Sequence, residues 1–342
     1  MDEPARQVIA LIGLGTIGIS FAALHLKHSD ALLRVYDPRP DLKQHVASML
    51  PVYLESTDPS LSVDSLISGG RFVLCSTLAE ACTGASIVQE QGPENLQVKA
   101  STWSEVLRHV SPTAHLWSST SGVPASQQVQ ELKDKTRLLV VHPFNPPHVM
   151  PLVEIVPSPE TDPGEVQFAK RYFEALKSGH RPVVVRKEAS GFVANRLAFI
   201  LFREACSLVA DDIVSVQDLD TIVEASLGPR WAVAGPFKSY SYGGGTGGLP
   251  AFLRNLSGTM EEVWQSAGTV SFERTEFDPT NIKSDGATVI DDNDTPHDQS
   301  GIWTHKVIQQ TLEGYGFPDS RILASRDAAL RRVLQAAEPH NA

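Results

Sequence analysis

A doubly wound, mainly parallel α/β sheet followed by an all-helical C-terminal domain is the fold class that the sequence predicts. Three observations predict it. Short apolar runs alternate with helical patterns through roughly the first half of the chain, a glycine-rich turn directly follows the first run, and strand-like runs stop after Val183-Val184-Val185.

The elements follow in order. Val8 to Ile12 reads as the first strand and feeds Gly13-Leu14-Gly15-Thr16-Ile17-Gly18; Leu32 to Tyr36 reads as the second and is closed by Asp37. Phe72 to Cys75, Ile87 to Val88, His115 to Trp117, Leu138 to Val141 and Leu152 to Val156 continue the alternation. Lys187-Glu188-Ala189-Ser190-Gly191 then opens a helical stretch through Ala210, with Ser190 as its N-cap and Phe192, Leu197, Ile200, Leu201 and Leu208 as its apolar stripe. The expected domains are therefore 1–187 and 188–342. Residues 243–248, nearly all glycine, read as a mobile loop. Residues 270–300 carry eight acids against Arg274 and Lys283 and read as an acidic insertion without chemistry.

At 342 residues there is chain enough for about two domains of ordinary size. Forty acids against 29 bases, a net charge of -11, argue against nucleic acid or an anionic membrane as the main partner. Cys75, Cys82 and Cys206 have apolar neighbours and neither paired nor metal-ligand spacing, so they read as reduced thiols, with no metal. No apolar run approaches membrane-spanning length, and Pro339-His340-Asn341-Ala342 is not a peroxisomal address, so a cytoplasmic location is expected.

The glycine-rich turn sits between a strand and a helix, and an acid follows about 20 residues on, the full context of a dinucleotide site in a Rossmann-type sheet. Gly13 would make the tight turn, Gly15 would let backbone approach the pyrophosphate, and Gly18 would let helix pack on strand. The amides of Thr16 and Ile17, opening the helix, would hold phosphate. A carboxylate at Asp37 accepts ribose hydroxyls and repels a 2′-phosphate, so NAD is favoured over NADP, although Arg39 is of a type that accommodates that phosphate.

Ligands in open parallel sheets lie beyond the carboxyl ends of the strands. Ser118-Ser119-Thr120-Ser121-Gly122 and His142 both follow strands in that way, and Glu154 stands in an otherwise apolar strand where a carboxylate needs a partner. Singly, His142 reads equally well as a structural strand-end residue, and Glu154 as the partner of a surface lysine. Together they suit removal of a hydroxyl proton during hydride transfer, the carboxylate fixing the imidazole tautomer.

Gly13 to Gly18, Glu90 to Lys99, Ser118 to Gly122, His142 to Pro146, Leu152-Val153-Glu154 and Gly191 to Leu197 resemble, in order and spacing, the L-3-hydroxyacyl-CoA dehydrogenase family. Leu61-Ser62-Val63, Asn145-Pro146-Pro147 and Pro157 to Thr161 resemble its branch of lambda-crystallin and L-gulonate 3-dehydrogenase. The resemblance implies an NAD-dependent 3-hydroxy acid dehydrogenase with His142 as general acid/base, Glu154 as its orienting partner, and Ser121 and Asn195 on the substrate oxygen. It further implies Glu94 and Lys99 near the nicotinamide and its ribose, and a homodimer through the C-terminal helices. Two departures matter. Ser119 stands where much of the family has asparagine, and the stretch from Asp37 to Leu61 has Lys43 as its only lysine, against Asp41, Glu55 and Asp58. Coenzyme A prefers a basic groove. A small hydroxy acid such as L-gulonate is expected instead, its carboxylate held by Arg196 or by Arg230 of Leu227-Gly228-Pro229-Arg230-Trp231, a segment that also resembles carnitine 3-dehydrogenases.

Overall fold

The computed structural model describes residues 6–272 and 302–337; the expected acidic insertion lies almost wholly outside them. The chain divides into two units, Met1–Arg196 and Leu197–Ala342.

The first unit is an eight-stranded sheet in the order β3-β2-β1-β4-β5-β6-β7-β8. Its strands are β1 (Val8–Ile12), β2 (Leu32–Tyr36), β3 (Phe72–Leu74), β4 (Ile87–Glu90), β5 (His115–Ser118), β6 (Leu138–Pro143), β7 (Leu152–Pro157) and β8 (Arg181–Val184). All neighbours run parallel except β6 and β7, whose antiparallel register sets His142 opposite Glu154. Successive side chains of a strand point to opposite faces. Ile9 and Leu11 therefore join Leu33, Trp117, Leu139 and Val141 under α1 (Thr16–His28), α2 (Leu42–Leu54) and, further along the chain, the helix Pro163–Ala175. Ala10 and Ile12 join Val88, Leu116 and Val140 on the other face. That face is covered in chain order by α4 (Leu78–Cys82), which follows the short α3 (Val63–Ser68), and by α5 (Leu96–Val106) and α6 (Ala125–Gln128); Pro163–Ala175 is α7. Burying each large apolar side chain here stabilises the unit by about 1.5–3 kcal/mol relative to leaving it exposed.

The second unit is helical among the described residues. It contains most of α8 (Ala194–Ala210), then α9 (Val216–Ile222), α10 (Gly228–Val233), α11 (Pro236–Gly243), α12 (Gly248–Gln265), α13 (Ile302–Tyr315) and α14 (Ser320–Ala336). The compact units meet in sequence after Arg196, a few residues beyond the expected boundary. The turn before α8 belongs to the sheet: Phe192 is fully buried in its core, and the Val193 and Ala194 amides bond to Glu154 on β7.

The glycine run 243–248 is not a loose loop. Gly243 ends α11, Gly245–Gly247 make one 3-10 turn, and Gly248 begins α12. A Cβ on Gly244 would lie 1.8 Å from the Gly248 carbonyl oxygen, and Gly245 has φ +58, so glycine is what permits so tight a reversal between the helices. Among the described residues no helix is long and apolar enough to cross a membrane, and no cluster of His, Cys, Asp or Glu has the makings of a metal site.

Candidate active site

Loops at the carboxyl edge of β1, β4 and β5 and a residue pair on β6 and β7 build the site. After β1 the chain turns at Gly13, whose φ of +93 lies in the region that glycine adopts freely, and its N–H donates to Tyr36 O at 2.8 Å. A Cβ on Gly18 would fall 2.0 Å from Gly13 O, so the first turn of α1 rests directly on the glycine turn. A Cβ on Gly15 meets nothing within 4 Å. Gly13 and Gly18 are thus glycines for packing, while Gly15 faces open space. The first intrahelical bond of α1 is Ile19 N–H to Gly15 O, leaving the amides of Thr16, Ile17 and Gly18 without helical partners. An exposed cradle of amides at a helix N-terminus fits a pyrophosphate.

Asp37 closes this cradle from the second strand. Its Oδ2 accepts from Leu14 N–H at 2.6 Å and its Oδ1 from Arg39 N–H at 2.9 Å, so the carboxylate holds the turn as well as offering lone pairs to ribose hydroxyls. His45 Nε2 adds a bond to Leu14 O at 2.8 Å from α2, which sequence reading missed. Arg39 leans on Asp41 at 3.3 Å.

The loop after β4 carries the other two residues expected on the cofactor side, Glu94 and Lys99, both held by partners within the protein. Lys99 is fully buried, and its Nζ donates to both oxygens of Glu90, at 3.0 and 3.1 Å, and to Gly92 O at 3.3 Å. Glu90, itself 1% exposed, also accepts from Gly92 N–H and from Ser118 Oγ. Lys99 therefore shapes the loop from within, its three ammonium donors shared between Glu90 and Gly92. Glu94 takes Thr120 Oγ1 and Ser121 N–H, each at 2.6 Å, so its carboxylate pins the loop after β5. Gln91, whose backbone abuts Gly13, has both side-chain amide atoms buried without a partner among the described residues.

The third part is the pair on β6 and β7. His142 Nδ1 lies 2.8 Å from Glu154 Oε2, both residues buried, and Glu154 Oε1 accepts from the Val193 and Ala194 amides at 3.0 and 3.1 Å. Burial pushes the Glu154 carboxyl up, but the bonds from His142 and from the two backbone amides outweigh it and hold the pKa below its ordinary value. An ionised carboxylate accepts, so Nδ1 carries the proton and Nε2 is left as the basic nitrogen. Phe144 and Phe192 flank the ring.

Asn195 Nδ2 reaches Ser121 O at 3.4 Å, which brings these two candidates together. Ser121 is exposed, and its hydroxyl has no partner among the described residues. Arg196, on α8 at the end of the first unit, and Arg230, on α10 in the second, are likewise exposed, with no ion-pair partner among the described residues.

A cradle for pyrophosphate, an acid for ribose and a buried His-Glu couple suit a dinucleotide-dependent dehydrogenase, and the comparisons agree. The 3-hydroxyacyl-CoA dehydrogenase NAD-binding domain matches residues 8–189, and the C-terminal domain of the same family matches 191–267. A 3-hydroxyacyl-CoA dehydrogenase of Gibberella moniliformis is 37% identical over 257 residues, 73% of this chain and 76% of that protein. An L-carnitine dehydrogenase of Streptomyces coelicolor is 31% identical over 296 residues, 84% and 91% of the two chains. The solved structure of 5-formyl-3-hydroxy-2-methylpyridine 4-carboxylic acid 5-dehydrogenase, an NAD+-dependent dismutase, superposes with a TM-score of 0.74 at 25% identity, covering 98% of this chain and 99% of that one. The two sequence relatives are a 3-hydroxyacyl-CoA dehydrogenase and an L-carnitine dehydrogenase, and the finer resemblance to lambda-crystallin and L-gulonate dehydrogenase gives way to them. The chain belongs to the 3-hydroxyacyl-CoA dehydrogenase family and is an NAD-dependent dehydrogenase.

Proposed function

We propose that this dehydrogenase oxidises the 3-hydroxyl of a small 3-hydroxy acid, with L-carnitine the first candidate. The observation that carries this reading is the charge around α2. Between Asp37 and Leu61 the basic side chains are Arg39, already leaning on Asp41, and Lys43, while Glu55 and Asp58 add negative charge. Such a surface offers little to the phosphates of coenzyme A. The likeness to carnitine dehydrogenases supports the same reading.

NAD, when bound, supplies a hydride acceptor. His142 Nε2 takes the hydroxyl proton, Glu154 stabilises the imidazolium through Nδ1–H, and the backbone amides on Glu154 keep that carboxylate ionised. The Ser121 hydroxyl, on a loop that Glu94 fixes, and the Asn195 amide orient the substrate oxygen. Arg196 or Arg230 holds the carboxylate.

A 3-hydroxyacyl-CoA substrate is the second reading, favoured by the fungal relative. NADH formation with L-carnitine, L-3-hydroxybutyryl-CoA and L-gulonate in parallel separates the three. Turnover of carnitine alone supports the proposal; turnover of the thioester alone rejects it, and turnover of L-gulonate alone keeps the small 3-hydroxy acid but rejects carnitine. The protein works as a homodimer through its C-terminal helices: α8 exposes Leu197, Phe199, Ile200 and Phe202, and α12 exposes Val263 and Trp264, more apolar surface than a monomer usually leaves in water. A monomeric mass by light scattering at micromolar concentration would refute the dimer. The protein acts in the cytoplasm.

A further inference from the structure

A chain of polar side chains runs through the apolar core of the sheet unit and ends at its carboxyl edge. Tyr172 Oη on α7 lies 2.8 Å from His25 Nδ1 on α1; His25 Nε2 lies 3.0 Å from Gln89 Oε1 on β4; and Gln89 Nε2 donates to Ser119 Oγ at 3.2 Å, just beyond β5. His25 and Gln89 are fully buried, and Ser119 is 7% exposed. Burial lowers the His25 pKa to about 4, so the ring is neutral and carries a single proton. A buried tyrosine hydroxyl donates where it can, here to Nδ1, which places the imidazole proton on Nε2. Nε2–H then meets the Gln89 carbonyl oxygen, and the amide –NH₂ is turned toward Ser119. Every donor in the chain points one way. Ser119 Oγ accepts from Gln89, so its own proton is left over, with no acceptor among the described residues.

Where that proton emerges follows from the strand order. Gln91 N–H continues the β1–β4 ladder by bonding to Ile12 O, and Ser119 N–H continues the β4–β5 ladder by bonding to Glu90 O, both at 2.8 Å. Gly13, Gln91 and Ser119 therefore stand in a row at one edge, with His142 on the next strand, β6. Strands are roughly 4.8 Å apart, so the glycine cradle after β1 and His142 on β6 are separated by about 14 Å of sheet edge. A dinucleotide held by its pyrophosphate at the cradle and presenting its reactive ring near His142 must cross the ends of β4 and β5. Its nicotinamide-riboside half passes over Ser119.

We propose that the Ser119 hydroxyl is a cofactor contact, its proton aimed outward by Tyr172, His25 and Gln89 acting as positioning residues, and that it donates to an oxygen of the nicotinamide-riboside half of NAD. The oxygen belongs either to the ribose or to the carboxamide. This rests on the NAD site alone and is independent of which hydroxy acid is oxidised.

Binding to the full chain tests it, read by energy transfer from tryptophan to NADH and by displacement with ADP-ribose and ADP. Ser119→Ala raises the Kd for NADH about three- to tenfold, the loss of one hydrogen bond, leaves ADP unchanged, and is largely rescued by Ser119→Thr. If ADP-ribose weakens with NADH, the acceptor is a ribose oxygen; if only NADH weakens, it is the carboxamide. Tyr172→Phe weakens NADH in the wild type but adds nothing in the Ser119→Ala background. An unchanged Kd for NADH in Ser119→Ala, or an equal loss for ADP, overturns the contact. A Tyr172→Phe effect that persists in full without Ser119 overturns the relay. Should Ser119→Ala fail to fold, Tyr172→Phe in the wild type decides: weaker NADH with unchanged ADP supports the proposal, and unchanged NADH sinks it.

Discussion

His142 and Glu154 are directly opposed residues of neighbouring antiparallel strands, and their side chains meet at 2.8 Å. The couple is therefore set by strand register, and it holds its geometry without help from a mobile loop. His142→Gln should lower kcat about a hundred- to ten-thousandfold, the usual share of a general base, with the Kd for NADH nearly unchanged. Steady-state rates beside a binding titration check both halves, and an active variant would remove the acid/base assignment.

The glycines of the cradle should separate cleanly by substitution. Gly18→Ala drives a methyl to 2.0 Å from a backbone oxygen and should unfold or severely destabilise the sheet unit. Gly15→Ala meets no protein atom and should leave Tm where it is while NAD affinity falls. Thermal melts with NADH titrations read the difference; equal losses of stability would contradict it.

Asp37→Ala should weaken NAD and relax discrimination against NADP, because the carboxylate that repels a 2′-phosphate is gone. Leu14 N–H also loses its acceptor, so the cradle itself loosens. The ratio of kcat/KM values for the two cofactors is the readout, and an unaltered ratio would end the assignment.

Lys99→Met should cost about 3–5 kcal/mol in urea unfolding, since it strands the buried Glu90 carboxylate. Glu90→Gln with Lys99→Met should cost less than the single change, because no bare charge remains. A single variant as stable as wild type would show that the pair does not hold the loop.

Acid should weaken the fold through His25. Its pKa is lowered from 6.5 to about 4, first by burial and further by His180, with the Gln89 bond opposing. Between these values the unfolded chain binds the proton and the folded one does not. The contribution is complete above pH 6.5 and is lost as pH falls toward 4, in total about 3 kcal/mol. His28 and His180, both lowered mainly by burial, act in the same direction. Denaturant unfolding at two pH values should show a smaller drop for His25→Asn than for wild type, and equal drops would reject the role.

Strand positions and the glycine cradle were legible because they are local: an apolar run and a turn occupy contiguous residues. His142 and Glu154 were legible as a pair through residue type, since a carboxylate in an apolar strand needs an explanation. What escaped was long-range. Nothing in the sequence around Lys99 announces a buried ion pair, and only the fold shows Glu90 enclosing it. Nothing local links Tyr172 to His25 or His25 to Gln89, because sheet topology alone brings them together. The glycine run 243–248 misled for the opposite reason: glycine signals freedom in isolation, yet here it admits a close helix–helix reversal.

The chain division after Arg196 leaves His142, Glu154, Ser121, Asn195 and the glycine cradle within one unit. With the roles proposed for these residues, that unit can inherit its proton and hydride chemistry as a block. Selectivity can drift through changes to surface charge around α2 or in the helical unit while the reacting core stays as it is. Enzymes sharing this first unit can thus part ways over what they oxidise long before they part ways over how they do it.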